Sequence, residues 1–445
     1  MELGNWEIEK HTIQQNLYKM KKILITTFMI ASTLSLQAQV TLNNELKSLI
    51  NQSFGYFPKV KEVQNTVATA QEKVLLTGLN RFPDITADAS YAYVRPKIEL
   101  PINGDVFQFA PLHNFSGAFN ATYALFDFGR LQANITRSKD DLQLAKHNVD
   151  YVKSQLAYQV ANVYYNIVYL QKAVSIQDSA LNFLNENKKI VESQLQNGTA
   201  LRIDLLNIQA SVDNEENRKI DLKNSLQKQL NLLDYTTGSK QSNGSNFDFD
   251  INLTDAGSAL GLAQTNNLDF VLAKDKIKQA QSDLAITKLA EKPMVGLKAA
   301  AGIKNGYVPY VTDPRFNYMA GVSFTMPIYN GGKFKQQQKL QQNIIKQNEM
   351  AVESLSSTYR KDIDQALTDI ATNLERIKNT RGQIDQAKAA QILATNRLKG
   401  GTGTNLEITN AGTNVQRAAL TRLQYEYQLC LSKLELTRLM GYQYW

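Results

Sequence analysis

Residues 125–130 read Leu-Phe-Asp-Phe-Gly-Arg, and residues 327–333 read Pro-Ile-Tyr-Asn-Gly-Gly-Lys. The glycine before the basic residue is Gly129 in the first stretch and Gly332 in the second, 203 positions later. Other parts of the chain recur at the same offset. Solenoid repeats have periods of roughly 20–50 residues, so this longer period indicates that one half of the structure has been duplicated.

The duplication defines the predicted organisation of the chain. We place the first structural repeat at residues 39–238 and the second at 259–445, with a linker at 239–258 between them. Each copy contains short segments of alternating hydrophobicity and then a long helical hairpin, at 130–234 and 333–440. Apolar residues in the hairpins recur in steps of 3, 4 or 7, which is typical of coiled-coil helices.

Four segments alternate between apolar and small polar residues, at 84–94, 115–126, 295–303 and 316–326. Their length matches the roughly 9–11 residues of a tilted membrane strand. This pattern predicts lipid on the apolar face and water on the other face, although a soluble hairpin with one face on a core remains an alternative. The residues predicted to face lipid are Tyr91, Phe119, Tyr123, Val322 and Phe324, whereas Asn120 and Ser323 are predicted to face a pore.

Residues 1–38 are predicted to form an N-terminal extension and a signal peptide. Met20, Lys21 and Lys22 give a basic start, the apolar residues 23–36 follow, and cleavage is expected near Ala38. The apolar stretch is shorter than the roughly 20 residues of a membrane-spanning helix. A cleaved signal is therefore favoured over a retained anchor.

Composition argues against an enzyme and against nucleic-acid binding. The formal net charge is +8, but basic and acidic residues are interspersed, as expected of solvated helical faces. The three histidines are scattered: His11 precedes the expected cleavage site, His113 falls in a predicted surface loop, and His147 lies on a long helix. With Cys430 as the single cysteine, no cluster has metal-ligand spacing. We therefore expect no catalytic residues, no metal and no cofactor.

Geometry then predicts an assembly. Four strands cannot close a membrane barrel, and open sheet edges are not tolerated in lipid. Three identical chains would contribute twelve strands, which is enough for a central pore. The predicted fold is therefore mainly α with a β-barrel portion, in which duplicated coiled-coil hairpins continue the barrel as a helical tube.

On these residues the chain resembles the TolC-like outer-membrane efflux protein family. The resemblance rests on the two strand-to-helix junctions at 125–130 and 327–333, and on the helical turns that begin Asn197-Gly198-Thr199 and Gly400-Gly401-Thr402. It implies a homotrimer with a shared twelve-stranded barrel in the outer membrane of a Gram-negative bacterium and a helical tunnel in the periplasm. It also implies two partners, a periplasmic adaptor and an inner-membrane transporter, with which such channels export drugs, metals or proteins.

The resemblance also implies a gate near the helical turns at the periplasmic end. It assigns Asp204, Asn207, Glu407 and Asn410 to this gate. Some members of the family carry a second acidic residue where this chain has Asn410, and an arginine where it has Gly403. The implied contacts with the adaptor fall on Gly198, Thr199, Ala200, Leu201, Gly401, Thr402, Gly403 and Thr404.

Simpler roles for the two acidic residues stay open. Thr404 to Glu407 has the pattern of a capping box, and Asp204 lies in the first turn of a helix, where an anion is favourable. Arg202 is a candidate latch partner in place of the missing arginine. Two other functions also remain open, a trimeric coiled-coil adhesin or surface protein and a periplasmic helical-hairpin adaptor.

Overall fold

The computed structural model describes residues 43–445 except 103–104, 241, 243 and 245; the predicted signal peptide lies outside the described residues. The first half contains α1 (Asn44–Tyr56), α2 (Pro58–Leu79), β1 (Asp84–Tyr93), β2 (Glu99–Ile102), β3 (Asp105–Gln108), β4 (His113–Phe126), α3 (Arg130–Gln196) and α4 (Arg202–Thr237). The second contains α5 (Ala256–Asn266), α6 (Leu268–Leu289), β5 (Met294–Lys304), β6 (Arg315–Thr325), α7 (Lys333–Lys399) and α8 (Asn405–Met440).

The two halves match element by element. Helices α3 and α7 each have 67 residues, and α4 and α8 each have 36. At 1.5 Å per residue, α3 and α7 are each about 100 Å long. The β2–β3 hairpin interrupts the match and was not predicted. The prediction for His113 was also wrong: it was placed in a surface loop, but it is the first residue of β4.

Strands β1, β4, β5 and β6 form one antiparallel sheet in that order. Residues that pair across neighbouring strands share a face of the sheet. Tyr91 pairs with Phe115, and Leu297 lies between Tyr123 and Val322. The register therefore collects the predicted apolar stripes of all four strands on one face.

The helices extend this sheet in the same order. Helix α2 leads into β1, α3 follows β4, α6 leads into β5 and α7 follows β6. Accordingly, α3 packs between α2 and α6, and α7 packs against α6. Further from the sheet, α4 and α8 flank α3, and α8 also packs on α7. Each chain thus forms a layer of strands continued by helices, and β1 and β6 are the two edge strands of its sheet.

None of the described helices is long and apolar enough to cross a membrane.

The main core lies halfway along α3, where α1 and the ends of α4 and α8 converge. Leu46 and Ile50 of α1 are fully buried there beside Tyr164 and Ile167 of α3 and Leu434 of α8. Each such apolar side chain contributes about 1.5–3 kcal/mol when it leaves water. This core fixes the hairpins to the rest of the chain near the middle of α3.

A buried polar cluster joins the two hairpins nearer their far ends. The Glu215 carboxylate on α4 accepts hydrogen bonds from the amides of Gln177 on α3 and Gln416 on α8, both at 2.7 Å. Arg218 donates to its other oxygen at 2.5 Å. Because a fully bonded buried network tolerates few alternative arrangements, it fixes the relative register of three helices.

A second polar network lies close to the sheet. Lys73 on α2 is 2.9 Å from Asp141 on α3, and Arg137 on α3 is 2.7 Å from Asp283 on α6. Arg137 also bonds Asp141. Burial alone would raise the pKa of Asp141, but hydrogen bonds from Lys73 and Arg137 outweigh it and lower that pKa. The network therefore ties α2, α3 and α6 together by charge.

Candidate functional site

The two strand-to-helix junctions explain the most obvious part of the sequence repeat. Gly129 and Gly332 adopt left-handed conformations with φ of 89° and 77° as the N-caps of α3 and α7. In the first copy the Asp127 carboxylate accepts from the N–H groups of Gly129 and Leu131, at 2.9 and 2.6 Å. The glycine permits the left-handed turn at which each long helix begins.

The far ends of the hairpins, which we call the tips (197–207 and 400–410), have matching geometry. The N–H of Gly198 bonds the Leu195 carbonyl and that of Thr199 bonds the Gln194 carbonyl, at 3.0 and 2.8 Å. The second tip repeats both bonds at Gly401 and Thr402. These are Schellman turns, in which a left-handed glycine ends the helix. Gly198 and Gly401 have φ of 74° and 72°.

Gly403 is required by the close approach of the chain. An added Cβ would lie 2.8 Å from the Leu398 nitrogen, so a larger residue cannot fit without a shift. Arg397, not the candidate Arg202, approaches Glu407 in this protomer, with Nη2 3.5 Å from Oε1. Since both side chains are about half exposed, this ion pair contributes at most about 1 kcal/mol.

Both acidic residues are near helix starts, but they differ in their bonds. The Asp204 carboxylate accepts from the Leu201 N–H at 3.1 Å, so it caps α4. The Glu407 N–H donates to Thr404 Oγ1 at 3.2 Å, which is one half of a capping box. The Glu407 carboxylate approaches Arg397. Capping thus uses the carboxylate of Asp204 and leaves that of Glu407 exposed.

Two hydrogen bonds that the sequence did not suggest connect the two hairpins at the tips and next to them. Asn405 Nδ2 donates to the Asp204 carbonyl at 2.9 Å, and Gln194 Nε2 donates to the Leu398 carbonyl at 2.9 Å. Asn405 is buried, and its Oδ1 has no hydrogen-bond partner among the described residues. In the sequence, the special role of Asn405 shows only as a difference between the two copies, because Arg202 occupies the equivalent position in the first repeat.

The other predicted gate residues follow one turn later on the same helices. Asn207 and Asn410 are both exposed. Large apolar side chains are exposed around them: Leu201, Ile203, Leu206 and Leu406. The tips therefore combine a hydrogen-bonded backbone frame with an apolar and carboxylate-bearing surface.

The sheet presents two chemically different faces. Tyr91, Phe119, Val322 and Phe324 are each about two-thirds exposed on the apolar face, and Tyr123 on the same face is half-buried. On the opposite face, Asn120 donates to Asp88 at 2.6 Å and Ser323 donates to the Gly296 carbonyl at 3.3 Å. The register thus separates the residues predicted to face lipid from those predicted to face a pore.

A sequence model of the family described as "Outer membrane efflux protein" matches residues 49–239 and 259–442. The chain belongs to this family. It is a family of transport proteins rather than enzymes, and its members place a barrel in the outer membrane and helices in the periplasm. In the described part of the chain, no three His, Cys, Asp or Glu residues are grouped as metal ligands.

Individual relatives are distant but extensive. The outer membrane efflux protein BepC of Brucella suis is 20% identical over 71% of this chain and 70% of its own length. The outer membrane protein TolC of Salmonella enteritidis is 21% identical over 73% and 69%. The crystal structure of VceC from Vibrio cholerae has a TM-score of 0.72 and 20% identity, covering 89% of this chain and 96% of VceC. The family match spans both repeats, which favours a channel over an adhesin or an adaptor.

Proposed function

We propose that three copies of this chain form the outer-membrane channel of a tripartite export system, together with a periplasmic adaptor and an inner-membrane transporter. The observation that carries the proposal is the four-stranded layer whose outer strands are β1 and β6. An open sheet cannot remain in lipid, because unpaired backbone groups there cost several kcal/mol each. Pairing β6 of one copy with β1 of the next closes a twelve-stranded barrel.

The internal duplication supports ring closure by the same contacts. Within the chain, Arg130 at the start of α3 donates to the carbonyls of Leu289 and Ala290 at the end of α6, at 2.9 and 3.1 Å. Lys333 is the counterpart of Arg130 at the start of α7. By analogy, it would approach the end of α2 in the next copy, where Leu79 is exposed. Six similar half-structures would then form the ring.

The mass of the detergent-purified protein tests this assembly. We expect three chains per particle, extracted from the outer-membrane fraction. A monodisperse monomer or dimer that remains folded would contradict the proposal, because it would leave sheet edges without partners.

The tips are the proposed periplasmic entrance. Asp204, Asn207, Glu407 and Asn410 would line it, and three copies would bring six carboxylates together. Like charges at such distances repel unless they are paired, solvated or bound to cations. Arg397 partly offsets Glu407, whereas the hydrogen bonds of Asn405 and Gln194 hold the two hairpins together. We propose that these bonds stabilise the closed state.

The carboxylates lead to the first test of the gate. Glu407→Gln should weaken block of the channel by divalent cations, because it removes one charge from each copy. Asp204→Ala should raise basal conductance by loosening the start of α4. Single-channel recordings measure both. If both variants match the parent in conductance and cation block, and Asp204→Ala lowers stability by only about 1 kcal/mol, Asp204 is a helix cap, Glu407 is a surface carboxylate, and the gate lies elsewhere.

Asn405 gives a charge-independent test. Asn405→Ala removes the bond to the Asp204 carbonyl, and one such bond contributes about 0.5–1.5 kcal/mol. If three copies open together, the loss sums to about 3 kcal/mol, or roughly 100-fold in the closed-to-open ratio. We expect higher basal conductance at unchanged trimer yield. The control is Asn396→Ala, an exposed asparagine on α7; equal conductance in both variants would contradict the role of Asn405.

A further inference from the structure

The apolar face of the sheet contains a hollow of about 930 Å³. Its floor is made of small residues, Ala89, Gly117 and Ala301, and larger side chains rise around it, among them Tyr91, Phe119 and Phe316. A Cβ added at Gly117 would meet no atom within 4 Å. The sheet thus presents a recess where neighbouring positions carry exposed rings.

A cluster of hydrogen-bonding and cationic groups begins at the edge of this hollow. The Tyr91 hydroxyl bonds His113 Nδ1 at 2.8 Å, and the His113 ring lies 5.1 Å from that of Tyr93. Arg95 donates to the Tyr93 hydroxyl at 2.5 Å, with its guanidinium carbon 5.6 Å from the ring. Among the residues that the structure describes, Arg95 forms no ion pair, whereas nearby Lys97 pairs with Glu99.

The cluster lies at the end of the sheet away from the helices. Because the helices are periplasmic in this family, that end is the outer one. Arg95 follows Tyr91 by four residues, about 13 Å along an extended chain. A cation is therefore placed at headgroup level, outside an apolar recess at acyl-chain level.

We propose that this hollow and the adjoining Arg95 cluster bind a phosphorylated glycolipid of the outer leaflet, of the lipid A type. An acyl chain would fill the recess over Gly117, and a phosphate would accept hydrogen bonds from Arg95. A guanidinium group binds phosphate well because two of its N–H groups can donate to two phosphate oxygens at once. The inference rests on the proposed function in one respect, since it requires the apolar face to contact the membrane.

The test measures binding of purified lipid A to detergent-solubilised trimers by native mass spectrometry, with phosphatidylglycerol and phosphatidylcholine as comparison lipids. Arg95→Ala removes the cation, and Gly117→Leu fills the recess in space that is open in the structure. The matched controls lie on the opposite face of the sheet: Arg315→Ala removes a cation there, and Gly321→Leu fills another open position. We expect Arg95→Ala and Gly117→Leu each to weaken lipid A binding at least tenfold and the controls to change it less than twofold.

Three results would overturn the inference: equal weakening in all four variants, no preference for lipid A over phosphatidylcholine, or binding of phosphatidylglycerol at least as tight as that of lipid A. Conductance of the same trimers is recorded in parallel. Trimers that conduct but show no preference for lipid A contradict the lipid site alone. Protein that forms no trimers and no channel contradicts the proposed function itself.

Discussion

Val322→Arg is expected to abolish assembly of the barrel, whereas Ser323→Arg is expected to leave it intact. Val322 lies nearer the middle of β6 than its ends, shares the apolar face with Leu297, its partner on β5, and is exposed there. An arginine facing lipid near the midplane costs about 2–4 kcal/mol per chain, and three chains contribute one each. Ser323 lies on the opposite face, where an arginine would meet water and alter conductance. Trimer yield in the outer membrane measures the difference.

This pair is its own control, because the two positions are adjacent and receive the same side chain. Normal trimers with Val322→Arg and none with Ser323→Arg would show that the apolar face lines the pore. The assignment of Tyr91, Phe119, Tyr123 and Phe324 to lipid would then be wrong as well, since the register places them on the face of Val322.

Gly401→Phe is expected to block export without loss of trimers. Gly401 has a φ of 72° and open space where a side chain would begin. A phenylalanine there would strain the turn by about 1–3 kcal/mol and add bulk to the surface proposed to meet the adaptor. The barrel lies at the other end of a helix about 100 Å long, so it should be unaffected. Gly198→Phe should act in the same way on the first tip.

Gly382→Phe is the matched control, because Gly382 lies within α7, has open space around it and lacks a left-handed backbone. The measurement compares trimer yield with the sensitivity of a channel-deficient host to toxic compounds. Loss of trimers in Gly401→Phe, with no separate defect in export, would count against docking at the tips.

Features that depend on local sequence were predicted closely. The four strands begin and end within two residues of the predicted segments, because a period of two reports directly which face is apolar. The tip turns were located for a similar reason, since glycines interrupt otherwise continuous helical patterns at Gly198 and Gly401. The repeat itself constrained the order of the elements.

Features that depend on how turns juxtapose distant residues were not predicted. The sequence suggested that the Glu407 side chain completes a capping box, yet its carboxylate approaches Arg397, ten residues away on another helix. Asn405 and Gln194 were missed because amide side chains that bond to a backbone carbonyl leave no residue pattern. The β2–β3 hairpin was missed because its four-residue strands are too short to establish a period.

Single-channel recording of the purified parent protein in a planar lipid bilayer tests the central claim most directly. Three chains that share a barrel and close the periplasmic entrance with their helical tips should give discrete, uniform conductance steps. The steps should be small in the parent and larger in Asn405→Ala. Purified three-chain particles that insert into the bilayer but give no steps in either protein would contradict the account.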